Sequence, residues 1–372
     1  MIFNDITYFL LFLLPSVVVF HAAPRRIKPW VLASFGLVFF MYYSARHFGG
    51  AWGAACVLLF ISEMLVTRLY KPGSRWCLVG IAQALLILIA FKYAGLMAVL
   101  GISFFTFEFI HVAVDVYVGR LDRSPEPSTY AAFILFFPTM VAGPIKRFQD
   151  FEPQLAAARF DAALASRGVT RIAAGLAKKH ILADTLSLWS DQLATAAVYG
   201  APRLAIAGWL LAYAFKIYFD FSAYSDIAIG AGNLFGLKVP ENFNWPYLSA
   251  DIAEFWRRWH ISLGKWIYDY VFAPLSLAFG GAIPIPVALI ITFTICGIWH
   301  GADWHFAVWG LWHGVLLAGY HLWRVYLKKR FWAIPQPVAV ALTFSLVVLG
   351  YAFFALETGR ALYVIGRIVG IV

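Results

Sequence analysis

Charge is what this sequence has least of. Only 13% of its 372 residues are Asp, Glu, Lys or Arg, about half the roughly 25% of an ordinary soluble domain. A water-exposed surface of the usual kind is therefore excluded. Cysteine is scarce too: Cys56, Cys77 and Cys296 are odd in number and form no CxxC, which argues against a disulfide framework or a thiolate metal site. No strand alternation, low-complexity tract or internal repeat is visible. Gly230-Ala-Gly232 is no phosphate loop, because its third glycine falls at 236 and no strand precedes it. G-x-S-x-G and H-E-x-x-H are both missing. The start, Met1-Ile-Phe-Asn-Asp-Ile, lacks a basic leader and a small-residue cleavage site, so it reads as a retained membrane helix and not a signal peptide.

What the sequence does have is hydrocarbon. It is 62% hydrophobic, with a mean hydropathy of +0.77. Apolar runs of bilayer length must satisfy their backbone internally, which selects helices. The fold class is thus all-α, a polytopic integral membrane protein of about ten to twelve embedded helices, read as one domain over 1–372. Helices are expected near 6–22, 30–44, 52–68, 77–91, 96–117, 129–142, 170–190, 203–219, 222–236, 252–273, 284–299, 303–322 and 335–356. Fifteen Trp and eighteen Tyr suit interfacial belts or a lined cavity. The net charge of +10 sits in short clusters between apolar runs, a pattern of cytoplasmic loops and anionic lipid, not of nucleic-acid binding. Arg25, Arg26 and Lys28, then Arg68, Lys71 and Arg75, then Arg324, Lys328, Lys329 and Arg330 place those loops inside and the N-terminus outside. Residues 120–128 are a polar connector, and the charged stretch 150–180 is expected as an amphipathic surface helix.

Titratable side chains are costly in a bilayer and need a reason to be there. Four of the nine histidines fall in 251–314. Glu254-Phe-Trp-Arg257-Arg258-Trp-His260 makes a polar helix face, with Glu254 set to pair with Arg258 at i+4. It is either an interfacial amphipathic helix or a holder for an anionic group, which Arg grips bidentately. Tyr218-Phe-Asp220-Phe-Ser-Ala-Tyr224-Ser-Asp226 places carboxylates and phenols in apolar surroundings, as a satisfied interhelical network or as support for a reacting group. Phe137-Pro-Thr-Met-Val-Ala-Gly-Pro144-Ile-Lys146-Arg147 reads as a helix stop with two cations snorkelling at an interface. Trp299-His300-Gly301 ends an uncharged run. His300 is either a histidine bonded to a carbonyl or a general base of near-neutral pKa. His300, His305, His313 and His321 step by five, eight and eight, not the i, i+3 or i+4 of helical metal ligands, so no metal is expected.

In this order, Gly101-Ile-Ser-Phe-Phe-Thr-Phe, the 137–147 segment, the 218–230 segment, Phe255-Trp-Arg-Arg-Trp-His-Ile-Ser-Leu and Gly297-Ile-Trp-His-Gly resemble the membrane-bound O-acyltransferases. The likeness covers roughly 95–325 and is narrower toward the bacterial branch of alginate O-acetylation and teichoic-acid D-alanylation. Two departures stand out: the segment after Tyr270 lacks the basic residues common in that branch, and alginate-type members often continue through further helices. The resemblance implies a helical body around a polar funnel or tunnel, with His300 as catalytic base and His260 as the second polar position. Arg257, Arg258, Asp220, Tyr224, Asp226 and Trp299 are the substrate-binding or supporting candidates. It further implies no bound cofactor, an acyl donor such as acetyl-CoA or another thioester, and a glycan or acyl-carrying protein as acceptor. A separate periplasmic or extracellular acyltransferase, a cell (inner or plasma) membrane location, contact with lipid and a part in polysaccharide, including alginate, biosynthesis complete the expectation. The alternatives are D-alanyl transfer to teichoic acid and a non-enzymatic transporter or scaffold subunit.

Overall fold

The computed structural model describes residues 5–48, 50–93, 101–281, 283–327 and 334–371. The start of the helix expected at 96–117 and the basic residues Lys328, Lys329 and Arg330 lie outside them. The described residues are 79% helical, with no strand among them. It gathers into two compact units, one of Met1–Leu176 with Tyr224–Glu241, the other of Ala177–Ala223 with Asn242–Val372. Among the described residues, three helices are by length and composition able to cross a membrane: Arg75–Lys92, Arg203–Leu234 and Gln336–Ala355. Tyr8–Ala22, Val57–Thr67 and Ile285–His300 are apolar but shorter.

The first unit runs through α1 (Tyr8–Ala22), α2 (Lys28–Phe48), α3 (Gly50–Thr67), α4 (Arg75–Lys92), α5 (Ile102–Tyr117), α6 (Pro127–Ile134), α7 (Phe148–Ala157) and α8 (Ala162–Ala177). Its core is aromatic. The Phe137 ring lies 4.9 Å from Phe12, 5.7 Å from Phe39 and 5.8 Å from Phe235. The helix expected at 129–142 stops at Ile134, since Pro138 has no N–H to give the Ile134 carbonyl. The single surface helix expected at 150–180 is instead α7 and α8. Asp161 starts the second by accepting from Leu164 N at 2.9 Å, which satisfies one of the orphan donors of a helix start.

The second unit contains α9 (Asp184–Ser190), part of α10 (Arg203–Leu234), α11 (Ile252–Arg258), α12 (Ile261–Ile267), α13 (Ala273–Gly281), α14 (Ile285–His300), α15 (Trp304–Leu322), α16 (Gln336–Ala355) and α17 (Thr358–Val369). Three expectations change. The two helices expected at 203–219 and 222–236 are one, of 32 residues, because no Gly or Pro interrupts the middle; the Ser222 hydroxyl is satisfied on Phe219 O. The helix expected at 252–273 is broken after Arg258. Helix α17 was not foreseen. It is held by Arg360 on Ala194 O, Tyr363 on Tyr199 O and Arg367 on Ala201 O.

Candidate functional site

His300 is the last residue of α14, an apolar helix whose position is fixed by α15. A Cβ on Gly297 would stand 2.2 Å from Phe306 O, and one on Gly310 2.2 Å from Phe293 O. Only glycine lets the two backbones approach so closely, the packing that membrane helices use where apolar burial drives little. The result is a half-buried His300 ring edge-on to Trp309 and Phe354, both at 5.1 Å, and 4.5 Å from Trp299. An imidazole placed so is oriented yet reachable, as a general base requires.

Helix α11 approaches the same aromatic cluster through Trp256, 5.8 Å from Trp309. Asp251 caps this helix, accepting from Glu254 N at 2.7 Å, and takes the Tyr320 hydroxyl of α15 at 2.8 Å. Glu254 accepts from Ala250 N and pairs with Arg258 at 2.7 Å, as the i, i+4 spacing predicts. Arg258 is thus engaged, and Arg257 is exposed. His260 follows, 4% exposed, its ring edge-on to Phe221 at 4.6 Å and its Nε2 without a hydrogen-bond partner. It lies outside the candidate membrane-crossing helices, and burial pushes its imidazole pKa down, so the ring is held neutral.

The other histidines divide. His305 Nδ1 lies 2.8 Å from Phe353 O and joins α15 to α16. His313 is buried between Trp256, at 5.1 Å, and Trp309, at 5.0 Å, with neither nitrogen partnered. Among the described residues no three of His, Cys, Asp and Glu gather as a metal-ligand group.

Asp220, Tyr224 and Asp226 go to separate partners. Asp220 pairs with Lys179 at 2.9 Å, and Lys179 also pairs with Asp184 at 2.7 Å. The Tyr224 hydroxyl accepts from Ala142 N at 3.3 Å and donates to Pro138 O at 3.4 Å. Asp226 accepts from Arg171 Nε at 2.6 Å, and the same guanidinium reaches Glu241. The three are separate anchors and do not form one network.

The snorkelling expected of Lys146 does not occur. Lys146 is 4% exposed, paired with Glu108 and 4.4 Å from the Phe133 ring. Glu108, His111 and Asp115 share the α5 face at i, i+3 and i+7. His111 Nε2 accepts from Phe148 N at 2.8 Å, and its Nδ1 lies 3.1 Å from Asp115. Sequence reasoning missed this buried network. Its signal was three titratable residues at helical spacing inside an apolar run. A cavity of about 440 Å³ opens beside it, lined by Lys146, Arg147, Gln149, Gln154 and Lys238 among others.

Comparison with known proteins completes the picture. Over 329 residues the chain is 37% identical to a "Probable alginate O-acetylase" of Pseudomonas syringae pv. tomato, an alignment covering 81% of this chain and 61% of that protein. It is 30% identical over 397 residues to the peptidoglycan O-acetyltransferase of Helicobacter pylori, covering 92% and 74%. It is 31% identical over 279 residues to the teichoic acid D-alanyltransferase of Bacillus subtilis, covering 70% and 69%. The chain thus spans about three fifths of the length of the first of these relatives. Residues 118–348 match the family described as MBOAT, membrane-bound O-acyltransferase. That match covers well over half of the chain, and the motifs around His260 and His300 lie inside it: the chain belongs to the membrane-bound O-acyltransferase family.

Proposed function

We propose that the protein is an O-acyltransferase that moves acetyl groups from a thioester such as acetyl-CoA toward hydroxyls of an exported polysaccharide or cell-envelope glycan. The observation that carries this is the seat of His300, oriented by Trp309 and Phe354 yet half-buried, in a family of acyltransferases. His300 takes the proton of the attacking hydroxyl. The oxygen bonds to the acyl carbon, the carbon–sulfur bond breaks, and the proton goes to the departing thiolate. His260 positions or polarises donor or acceptor, and Trp299 shapes the wall beside the base. Arg257, with Arg258 behind it, offers a grip for an anionic donor or lipid phosphate. Asp220, Tyr224 and Asp226 brace the helices. Residues 1–372 act as one membrane-embedded catalytic domain in the inner or plasma membrane, with the N-terminus outside. The direct acceptor is a glycan hydroxyl or an acyl-carrying protein that completes transfer outside. D-alanyl transfer to teichoic acid is a second reading, favoured by the Bacillus subtilis relative.

The test is to measure folded protein and acyl transfer together. His300→Ala and His300→Gln should insert and fold normally while losing about 10²–10⁴-fold in rate. His305→Ala should lower yield but keep the rate per folded molecule. A fully active His300→Gln sinks the base assignment. Comparing acetyl-CoA with a D-alanyl carrier thioester separates the two acyl groups.

A further inference from the structure

The break at His260 is built, not merely tolerated. His260 has φ 45° and ψ 54°, the left-handed region, and is one of only two non-glycine residues with positive φ among those described. A side chain with a Cβ adopts that conformation at a cost the surroundings must offset. Here the surroundings are residues 242–244, which run alongside 258–262. Asn244 N donates to Arg258 O at 3.0 Å, Ile261 N donates to Asn242 O at 2.9 Å, and Phe243 forms an isolated antiparallel bridge with Trp259. The side chain of Asn242 adds two bonds. Its Oδ1 accepts from Ser262 Oγ at 2.6 Å and from Ser262 N at 3.3 Å. Asn242 is fully buried.

The logic is that of a helix start. Ile261 and Ser262 open α12, so their N–H groups have no acceptor within the helix. An ordinary cap would come from the residue before them, through an extended backbone. That residue is His260, whose ring is instead turned against Phe221. Asn242 supplies both acceptors in its place, one from its backbone and one from its side chain. Phe243 packs 5.1 Å from Phe221 and from Trp259, backing the ring against which the imidazole rests. Strain is thus concentrated at a buried histidine whose Nε2 lacks a partner, and such strain tends to collect at functional sites.

We propose that Asn242 is a positioning residue for acyl transfer: by capping Ile261 and Ser262 from outside the helix, it holds His260 left-handed with its Nε2 presented to substrate. The inference rests on the reading of His260 given above. It gives Asn242 a role that neither its neutral side chain nor the motif around His260 reveals.

The experiment uses the full chain in detergent, with acetyl-CoA as donor and thiol release as readout. It is paired with the ¹⁵N signal of His260 in ¹⁵N-histidine-labelled protein. Asn242→Ala should lower kcat about tenfold or more in molecules that elute as folded, and shift the His260 signal. Asn242→Asp, which keeps the acceptor oxygen, should recover much of both. Ser262→Ala, which removes one bond, should fall between and serves if Asn242→Ala does not fold. In the double variant with His260→Ala, Asn242→Ala should add nothing further, because it acts through that ring. An unmoved His260 signal, an unchanged kcat, or losses that multiply in the double variant each overturn the proposal. A His260→Ala variant with full activity is a different failure: it removes the catalytic reading of His260 itself.

Discussion

Arg257 and Arg258 are adjacent in sequence and different in circumstance. Arg258 is bound to Glu254, while Arg257 is exposed. An i, i+4 ion pair on a helix contributes roughly 0.3–0.5 kcal/mol, and both side chains of this one are half-buried, so Arg258→Ala should cost somewhat more than that and change turnover little. Arg257→Lys should raise KM for an anionic donor several-fold without altering kcat, since an ammonium cannot reproduce the bidentate grip. Initial rates at varied donor concentration decide it. Equal KM values for wild type and Arg257→Lys would assign Arg257 to headgroup anchoring.

Elements are held by close approach and by caps, and each makes a prediction. Gly297→Ala puts a methyl into the Phe306 carbonyl, and neither backbone can yield without separating α14 from α15. The cost should match or exceed the roughly 1–3 kcal/mol of an overpacked core, with lost transfer because His300 moves. Gly319→Ala on the same α15 meets nothing within 4 Å and should stabilise by about 0.4–1 kcal/mol through the unfolded chain. Thermal unfolding in detergent, followed by size exclusion, reads both, and a neutral Gly297→Ala would refute the close-packing account. The cap of α8 is sensitive to acid. The Leu164 N–H holds the Asp161 carboxyl below the usual carboxylate range. A depressed folded pKa gives stability that is present above the unfolded value of about 3.9 and lost as pH falls through the folded one. Asp161→Asn keeps the acceptor without the titration. Melting temperatures of the two proteins should therefore converge below about pH 4, and a gap constant down to pH 3 would contradict the assignment.

On the scale of the whole molecule the question is orientation. Within the first unit, Lys28 at the start of α2 donates to Ala158 O just past α7, and Gly73 N donates to Tyr117 O at the end of α5. Asp115, in the last turn of α5, meets Gln149 in the first turn of α7. Helix α7 is about 15 Å long at 1.5 Å per residue, so both basic turns neighbour one short helix, which supports placing them on one face. Ile27→Cys and Lys71→Cys, in protein whose native cysteines are replaced, should resist an impermeant thiol reagent in intact cells and react after permeabilisation. Ready labelling of both in intact cells would invert the topology. Position 71 is chosen because Gly73 has φ +70° and would strain any replacement.

The sequence alone determined the class of molecule. A chain that is 62% hydrophobic must satisfy its backbone within helices wherever it meets lipid, and that constraint acts on each segment by itself. It also made the family legible, since the motifs around His260 and His300 are contiguous. The tertiary structure decided what depends on a distant partner. Lys146 looked like an interfacial cation until Glu108, 38 residues earlier, proved to hold it inside. Asp220, Tyr224 and Asp226 looked like one network until Lys179, Ala142 and Arg171 took one each. The periodicity of 252–273 gave no sign of a break at His260. The break depends on Asn242, whose backbone and side chain satisfy the first amides of the next helix. Periodicity records which face a residue occupies, not which distant atom will meet its hydrogen bond, and it was those atoms that positioned the site.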